Sequence, residues 1–387
     1  MTGDERVRRP RTLLEQKIWQ RNETLSEFVA FTEEFARQFG EPGTLSERHL
    51  KRLVAGRKAD GTQVGRPRPA TARLLERIFG VDADSLLSPV DALAINETDD
   101  QDLRATLSAT RRVTPSIVGL LNNQLSSMRR LDRQLGAVTA FEEVTVKIDQ
   151  VTHLLAHSMS AGVRQQLAAL LAELGTLAGW QALDLGRASV AWKHYEQAKQ
   201  AASQSSFSAF EIHTSAEQAF VLLDIGEKAA AVELLATVEG RAHRKTDRLR
   251  RSWLAAAHGE ALAANDQRSA SLRAFDRAAA LLPSDQPGEH GPYVALDAVH
   301  LARWRGHALA RIGAPEAVDV LKAALTGLDA TYTRAEAGLR VDLATAFVAR
   351  HEPGEARLHV TKARLLATEI GSARQFRRLI RLQNSLT

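Results

Sequence analysis

The chain has 387 residues, a formal net charge of +5 and no cysteine. Absence of thiols excludes disulfides, thiolate metal sites and cysteine nucleophiles. The length and apolar fraction suffice for two or three packed cores. Ala, Leu, Arg and Glu dominate after position 100 while strand-favouring aromatics are few, so the composition predicts an all-α protein. Met1 to Arg11 is charged, with no apolar stretch before a small-residue cleavage site, so no signal peptide is expected. The longest apolar runs, such as Ala219 to Leu223, fall short of a membrane span, and the expected compartment is the cytoplasm.

Residues 1–90 read as a small head of short helices. Leu13 to Trp19 is amphipathic, and Ser26 precedes a helix striped by Phe28, Val29, Phe31, Phe35 and Phe39. After Gly40, Pro42 and Gly43, Thr44 or Ser46 can cap a helix whose Leu45, Leu50 and Leu53 face inward, with Gly56 ending it. A further helix restarts at Arg66 to Thr71 and runs through Leu74, Leu75 and Phe79, and Gly80 to Leu87 closes the unit. Between Thr44 and Arg77 nine basic residues face only three acids. Residues 91–112, with Asp91, Glu97, Asp99, Asp100 and Asp102, read as an acidic, partly disordered linker. A basic head on an acidic connector suggests a polyanion-facing domain joined to a separate body.

The head resembles the Xre-type helix-turn-helix domain of bacterial repressors over about residues 12 to 88. Leu25-Ser26-Glu27-Phe28 sits at its first motif helix, Ser46 through Gly56 at its recognition helix, and Ile78-Phe79-Gly80-Val81 with Leu86-Leu87 at its closing helices. The turn between the motif helices is stretched by Arg37 to Gly43, Glu27 stands where the family often has Gln, and Lys58 to Val64 is an insertion. The resemblance implies DNA binding. Glu47, Arg48 and Lys51 would then face base edges, and Ser46, Arg52, Arg57, Lys58, Arg66 and Arg68 would hold phosphates. The alternative for these side chains is a solvated helix face.

From Thr114 onward helix follows helix. Pro115 to Leu135 and Ala140 to Ser158 form an atypical first pair. Then a pattern recurs: Gly179, Ala182, Ala191, Tyr195, Ala198; Ala219, Leu222, Ala231, Leu235, Val238; Gly259, Leu262, Ser271, Phe275, Ala278; Ala344, Phe347, Ala356, Val360, Ala363. A further unit, Gly306, Leu309, Ala317, Leu321, Ala324, fits with a turn one residue shorter. This resembles the tetratricopeptide pattern, implying a right-handed α-solenoid over residues 113–387 that serves sensing and dimerisation. An irregular helical bundle is the alternative. The segment Ala373 to Leu386 reads as an amphipathic capping or dimerisation helix with its arginines on a solvated face.

In that register the concave surface is expected to carry Trp180, Leu183, Asp184, Phe220, Leu223, Asp224, Glu260, Arg303, His307, Arg311 and Thr345, with Trp253 and His213 nearby. Such a lining suits a peptide or small polar ligand. His153 and His157 lack a third ligand of suitable spacing, and no phosphate loop, HExxH or GxSxG motif occurs. No catalytic residues, metal or cofactor are therefore expected. A helix-turn-helix head on a repeat body resembles the peptide-pheromone-responsive regulators of bacteria and similar actinobacterial regulators. That resemblance implies a homodimeric transcription regulator binding double-stranded DNA and an effector. The rival readings are an adaptor that captures a protein partner without binding DNA, and a metal- or nucleotide-dependent enzyme.

Overall fold

The computed structural model describes residues 10–56, 65, 67–89, 92–284 and 291–383. Among the described residues the regular structure is helical, and the one β-type pairing is an isolated bridge between Thr12 and Pro89. No helix is long and apolar enough to cross a membrane among these residues. The chain divides into two compact units, Met1–Thr106 and Leu107–Thr387.

The first unit contains α1 (Leu13–Gln20), α2 (Leu25–Phe39), α3 (Glu47–Ala55), α4 (Pro69–Phe79) and α5 (Ala83–Leu87). Their boundaries follow from local chemistry. Thr24 and Glu27 form a reciprocal capping box at α2, and Gly40 ends that helix in the left-handed conformation at φ 65°. Arg37 is therefore helical, and the stretched turn comprises residues 40–46. Ser46, rather than Thr44, caps α3 by accepting from the His49 amide, and Gly56 closes it at φ 69°. Leu14, Ile18, Phe28, Leu45, Leu50, Leu53, Val54, Leu75 and Leu86 form the core of this unit.

Residues 91–112 were expected to be a partly disordered connector. Among the described residues of this stretch, Ala92–Arg111 form α6. The stretch from Ala92 to Arg111 has no Gly or Pro and is rich in Ala and Leu, so helix propensity outweighs its acidity.

The second unit begins with α7 (Pro115–Leu135) and α8 (Ala137–His157). Five helix pairs follow: α9 (Ala161–Asp184) with α10 (Ala188–Gln204), then α11 (Ser208–Glu217) and α12 (Ala219–Ile225) with α13 (Lys228–Ala242). The next are α14 (Arg248–Ala264) with α15 (Arg268–Leu281), α16 (Ala298–Arg311) with α17 (Ala317–Gly327), and α18 (Thr333–Ala349) with α19 (Pro353–Glu369). The final helix is α20 (Ala373–Gln383).

The five repeats share one turn. In each, a residue with positive φ ends the first helix: Gly186, Gly226, Asp266, Gly313 and His351. The following amide donates back to Ala182, Leu222, Leu262, Leu309 and Phe347 at 2.8–2.9 Å, which is the six-to-one bond of a Schellman motif. The small residue opening each sequence pattern admits the large residue of the paired helix. A Cβ on Gly179 would lie 2.8 Å from the Tyr195 ring, on Gly259 2.8 Å from Phe275, and on Gly306 2.5 Å from Leu321. These helix pairs make the body a tetratricopeptide-like repeat array.

The array closes on itself. Helix α18 packs beside α7, and α20 packs beside α9 as well as α18 and α19. A Cβ on Gly136, in the α7–α8 turn, would collide with the Ile370 carbonyl, and Gly371 sits against Val138. Arg334 pairs with Asp132, and the Ser372 hydroxyl donates to Asp184 at 2.6 Å.

Candidate functional site

In the first unit, burial of Leu50, Leu53 and Val54 turns the other side of α3 outward. Ser46, Glu47, Arg48, Lys51 and Arg52 are all exposed. Glu47 and Lys51 pair across one helical turn at 2.6 Å, whereas Arg48 and Arg52 have no partner among the described residues. Arg68, exposed at the N-cap of α4, adds to this face. Burial, and then Arg52 and Arg68, lower the pKa of His49. The Ser46 hydroxyl is engaged as the α3 cap. Glu27 is tied to the Thr24 amide and hydroxyl at 2.7 Å, and those bonds hold its carboxyl below the usual range. Arg57, Lys58 and Arg66, expected at phosphates, lie outside the described residues.

In the second unit, the inner helices surround a cavity of about 610 Å³. Trp180, Asp184, Phe220, Asp224, Trp253, Glu260, Arg303, His307 and Arg311 all line it, as do His213, Leu223 and Thr345. Leu183, expected beside them, is instead fully buried in the core between helices. Phe220 centres an aromatic wall, with its ring 6.0 Å from Trp180, 6.3 Å from Trp253 and 5.8 Å from Trp304. His213 lies 4.6 Å from the Trp253 ring.

Charge in the cavity is mostly locked in pairs. Asp224 accepts from Arg377 at 2.6 Å and Arg374 at 3.3 Å, and the Arg374 guanidinium lies 5.3 Å over Trp180. Asp342 is held by Arg378 and by His307 at 2.6 Å, and His307 reaches Glu260 at 3.5 Å. Burial alone would push the Asp342 carboxyl up, but Arg378 and His307 outweigh it and hold the group below the ordinary carboxylate range. Arg374, Arg377 and Arg378 of α20 are thus not a solvated face, while Arg381 is exposed. The three meet the part-buried Asp224 of α12 and the buried Asp342 of α18, so Asp184 and Asp224 serve the closure of the array. Among the described residues, Arg303 and Arg311 have no hydrogen-bond or ion-pair partner, and the Arg303 Nε is buried. Burial lowers the pKa of Arg303, opposed by Asp342 and Glu260.

At the aromatic wall the chemistry is different. Glu217 ends α11, where the inner helix is interrupted at Gln218 before α12 begins. Burial, and then the charge of Glu173, push the Glu217 carboxyl up to about 8. Burial, and then Arg250, push His213 down to about 3. The His213 Nδ1 is buried without a partner. Glu173 is paired with Arg129 and accepts from the Tyr293 amide at 2.9 Å.

No family model and no curated protein matches this chain. Solved structures of the nearly identical TPR-like repeats of a protein described as a putative kinesin light chain from Podosopora anserina are similar to it. One is 18% identical with a TM-score of 0.34, covering 50% of this chain and 94% of that one. A single-substitution variant of the same repeats is 17% identical at the same TM-score of 0.34, covering 50% and 93%. The repeat assignment rests on the helix pairing and turn bonds described above.

Several lining residues were not singled out from the sequence, among them Arg129, Glu173, Glu217, His300 and Arg334. Part of the signal was available. Six positions before each repeat's small residue stand Glu173, His213, Trp253, His300 and Gly338, and all five line the cavity. The rings of His153 and His157 lie 4.5 Å apart and tilted by 45°, and no metal-holding group of His, Asp or Glu occurs among the described residues.

Proposed function

We propose that this protein is a DNA-binding transcription regulator whose repeat array senses a peptide or small ligand. In this reading α3 enters the major groove, with Arg48 at a base edge and Arg52 and Arg68 on phosphates. The observation that supports it most is the outward face of α3, where Arg48 and Arg52 stand exposed beside Lys51 and have no partner among the described residues. Unpaired guanidinium groups on one helix face are suited to a polyanion. The cavity takes the effector, and a homodimer would translate a change in array curvature into the spacing of two heads. The protein binds rather than catalyses, because its cavity carboxylates are mostly consumed by ion pairs.

The test is selection from randomised duplexes by the full-length protein at two salt concentrations. A dimeric regulator enriches a palindrome whose half-sites lie about 34–36 Å apart, with affinity falling as salt rises. Arg48→Ala should relax sequence preference at one position, and Arg52→Ala should weaken all sequences alike. If no site is enriched and neither substitution changes binding, the head does not read DNA. The array would then be an adaptor for a protein partner.

A further inference from the structure

Glu217 and Glu260 are the cavity acids that face no guanidinium among the described residues. Glu173, Asp224 and Asp342 each pair with an arginine, and Asp132 and Asp184 face Arg334. Glu260 faces His307 Nε2 at 3.5 Å, an imidazole bound also to Asp342, whereas Glu217 has only His213 Nε2, at 3.7 Å. The charged and titratable groups around it come from five helices. Tyr195 of α10 lies beside it, its buried hydroxyl outside full hydrogen-bond geometry. Glu173 of α9 and Glu260 of α14 add like charge, Arg374 of α20 opposes them while bound to Asp224, and His213 of α11 stays neutral. The site therefore combines a carboxyl that no guanidinium pairs with, the buried and unpartnered His213 Nδ1, and an aromatic wall.

We infer that the part of the cavity bounded by Glu217, His213, Phe220 and Trp253 is a subsite for a protonated amine. The inference deepens the sensor reading of the cavity and rests on it. An ammonium group supplies what these residues lack: a positive counter-charge and N–H donors for the Glu217 carboxylate, and a cation against aromatic faces. In the empty protein the carboxyl holds a proton at neutral pH, because burial and Glu173 raise it to about 8. Docking exchanges one cation for another: the ligand's ammonium stays protonated, Glu217 ionises, and its proton passes to the buffer. Proton and amine compete for one carboxylate. Affinity should rise about tenfold per pH unit below the carboxyl's own pKa and level off above it.

The experiment is calorimetric titration of the full-length protein, without DNA, using 2-phenylethylamine as probe and 2-phenylethanol as its uncharged counterpart. At pH 7 the amine should bind at least tenfold more tightly than the alcohol. Its apparent enthalpy should differ between buffers of different ionisation heat by close to one proton released. Raising the pH from 6 to 7 should tighten amine binding about tenfold and leave the alcohol unchanged. Glu217→Gln, confirmed folded by its melting curve, should abolish both the proton release and the pH dependence. Phe-Gly-Gly compared with its N-acetylated form separates the sources. Tight binding by the free tripeptide alone assigns the subsite to a peptide N-terminus, and equal weak binding by both assigns it to small free amines. Equal affinity for amine and alcohol, no proton release from the wild type, or unchanged pH dependence in the variant would each overturn the inference. None of these results bears on DNA binding, which fails or succeeds in its own assay.

Discussion

His213 Nε2 lies 3.7 Å from a Glu217 carboxyl oxygen, one turn apart on α11, yet the folded protein holds both groups uncharged near neutrality. In the unfolded chain the same two residues are an imidazolium and a carboxylate between about pH 4.5 and 6.5. Folding moves one proton from histidine to glutamate without changing the total. The sign of the pH dependence then follows from counting protons. In that window the folded and unfolded states bind equal numbers through this pair, so it gives stability no slope. As pH rises from about 6.5 to 8 the folded state holds an extra proton on Glu217, and stability falls. Below about 4.5 the unfolded chain binds the extra proton, on His213, and stability falls as acid is added.

Glu217→Gln isolates half of this behaviour. Relative to the wild type, the variant should gain stability as pH rises from 5 to 8, by at most roughly 1.4 kcal/mol per pH unit. Above pH 8 the gain should stop growing. Melting curves of the two proteins at pH 5, 6.5 and 8.5 check this, and a constant difference across that range would show that Glu217 is ionised throughout.

Glycines of the array divide into two kinds. Gly259 faces the Phe275 ring, so Gly259→Ala should cost about 1–3 kcal/mol through overpacking. Gly240 lies inside α13 with nothing within 4 Å of an added Cβ, so Gly240→Ala should stabilise by about 0.5–1 kcal/mol. Urea unfolding of both variants, with unchanged slopes, would measure opposite shifts in midpoint.

Asp342 is buried and holds Arg378 of the last helix and His307 of α16. Asp342→Ala strands a half-buried guanidinium and should cost about 3 kcal/mol or more. The carboxyl is depressed in the folded protein, so its contribution is complete above the ordinary carboxylate range and lost as pH falls through and below it. The difference in melting temperature between wild type and variant should accordingly shrink in acid.

Thr24 and Glu27 show what local sequence encodes well. Both belong to a capping box spaced three residues apart, and Glu27→Ala should lower the stability of the first unit while leaving the α3 face intact. Circular dichroism melting alongside DNA binding would separate the two effects.

The legible parts of this molecule were the periodic ones. The small-to-large offsets Gly179–Tyr195 and Gly259–Phe275 located the helix pairs, and with the register fixed the groove residues from Trp180 to Arg311, Leu183 apart, line the cavity. The shared left-handed turn was harder to read because Asp266 and His351 occupy a position that is glycine in the other three repeats. Closure was not legible. Arg374 meets Asp224 and Arg378 meets Asp342 across a curvature that no local spacing encodes, so the arginines of α20 read as solvent-facing. Glu217 was missed for a related reason, since its isolation depends on which neighbours are already paired.

Closure also changes how the array should fail. In an open stack each repeat touches only its neighbours, stability is close to a sum of adjacent terms, and ends can fray one unit at a time. Here Gly136 and Ile370, Asp132 and Arg334, and Asp184 and Ser372 join the first helices to the last. Neither terminus of the array is a free end from which unravelling can begin. Removing α20 would uncover the inner side of α9 along with its own contacts with α18 and α19, so a truncation at one end weakens the other. The second unit should therefore melt as one cooperative block rather than as a ladder of repeats.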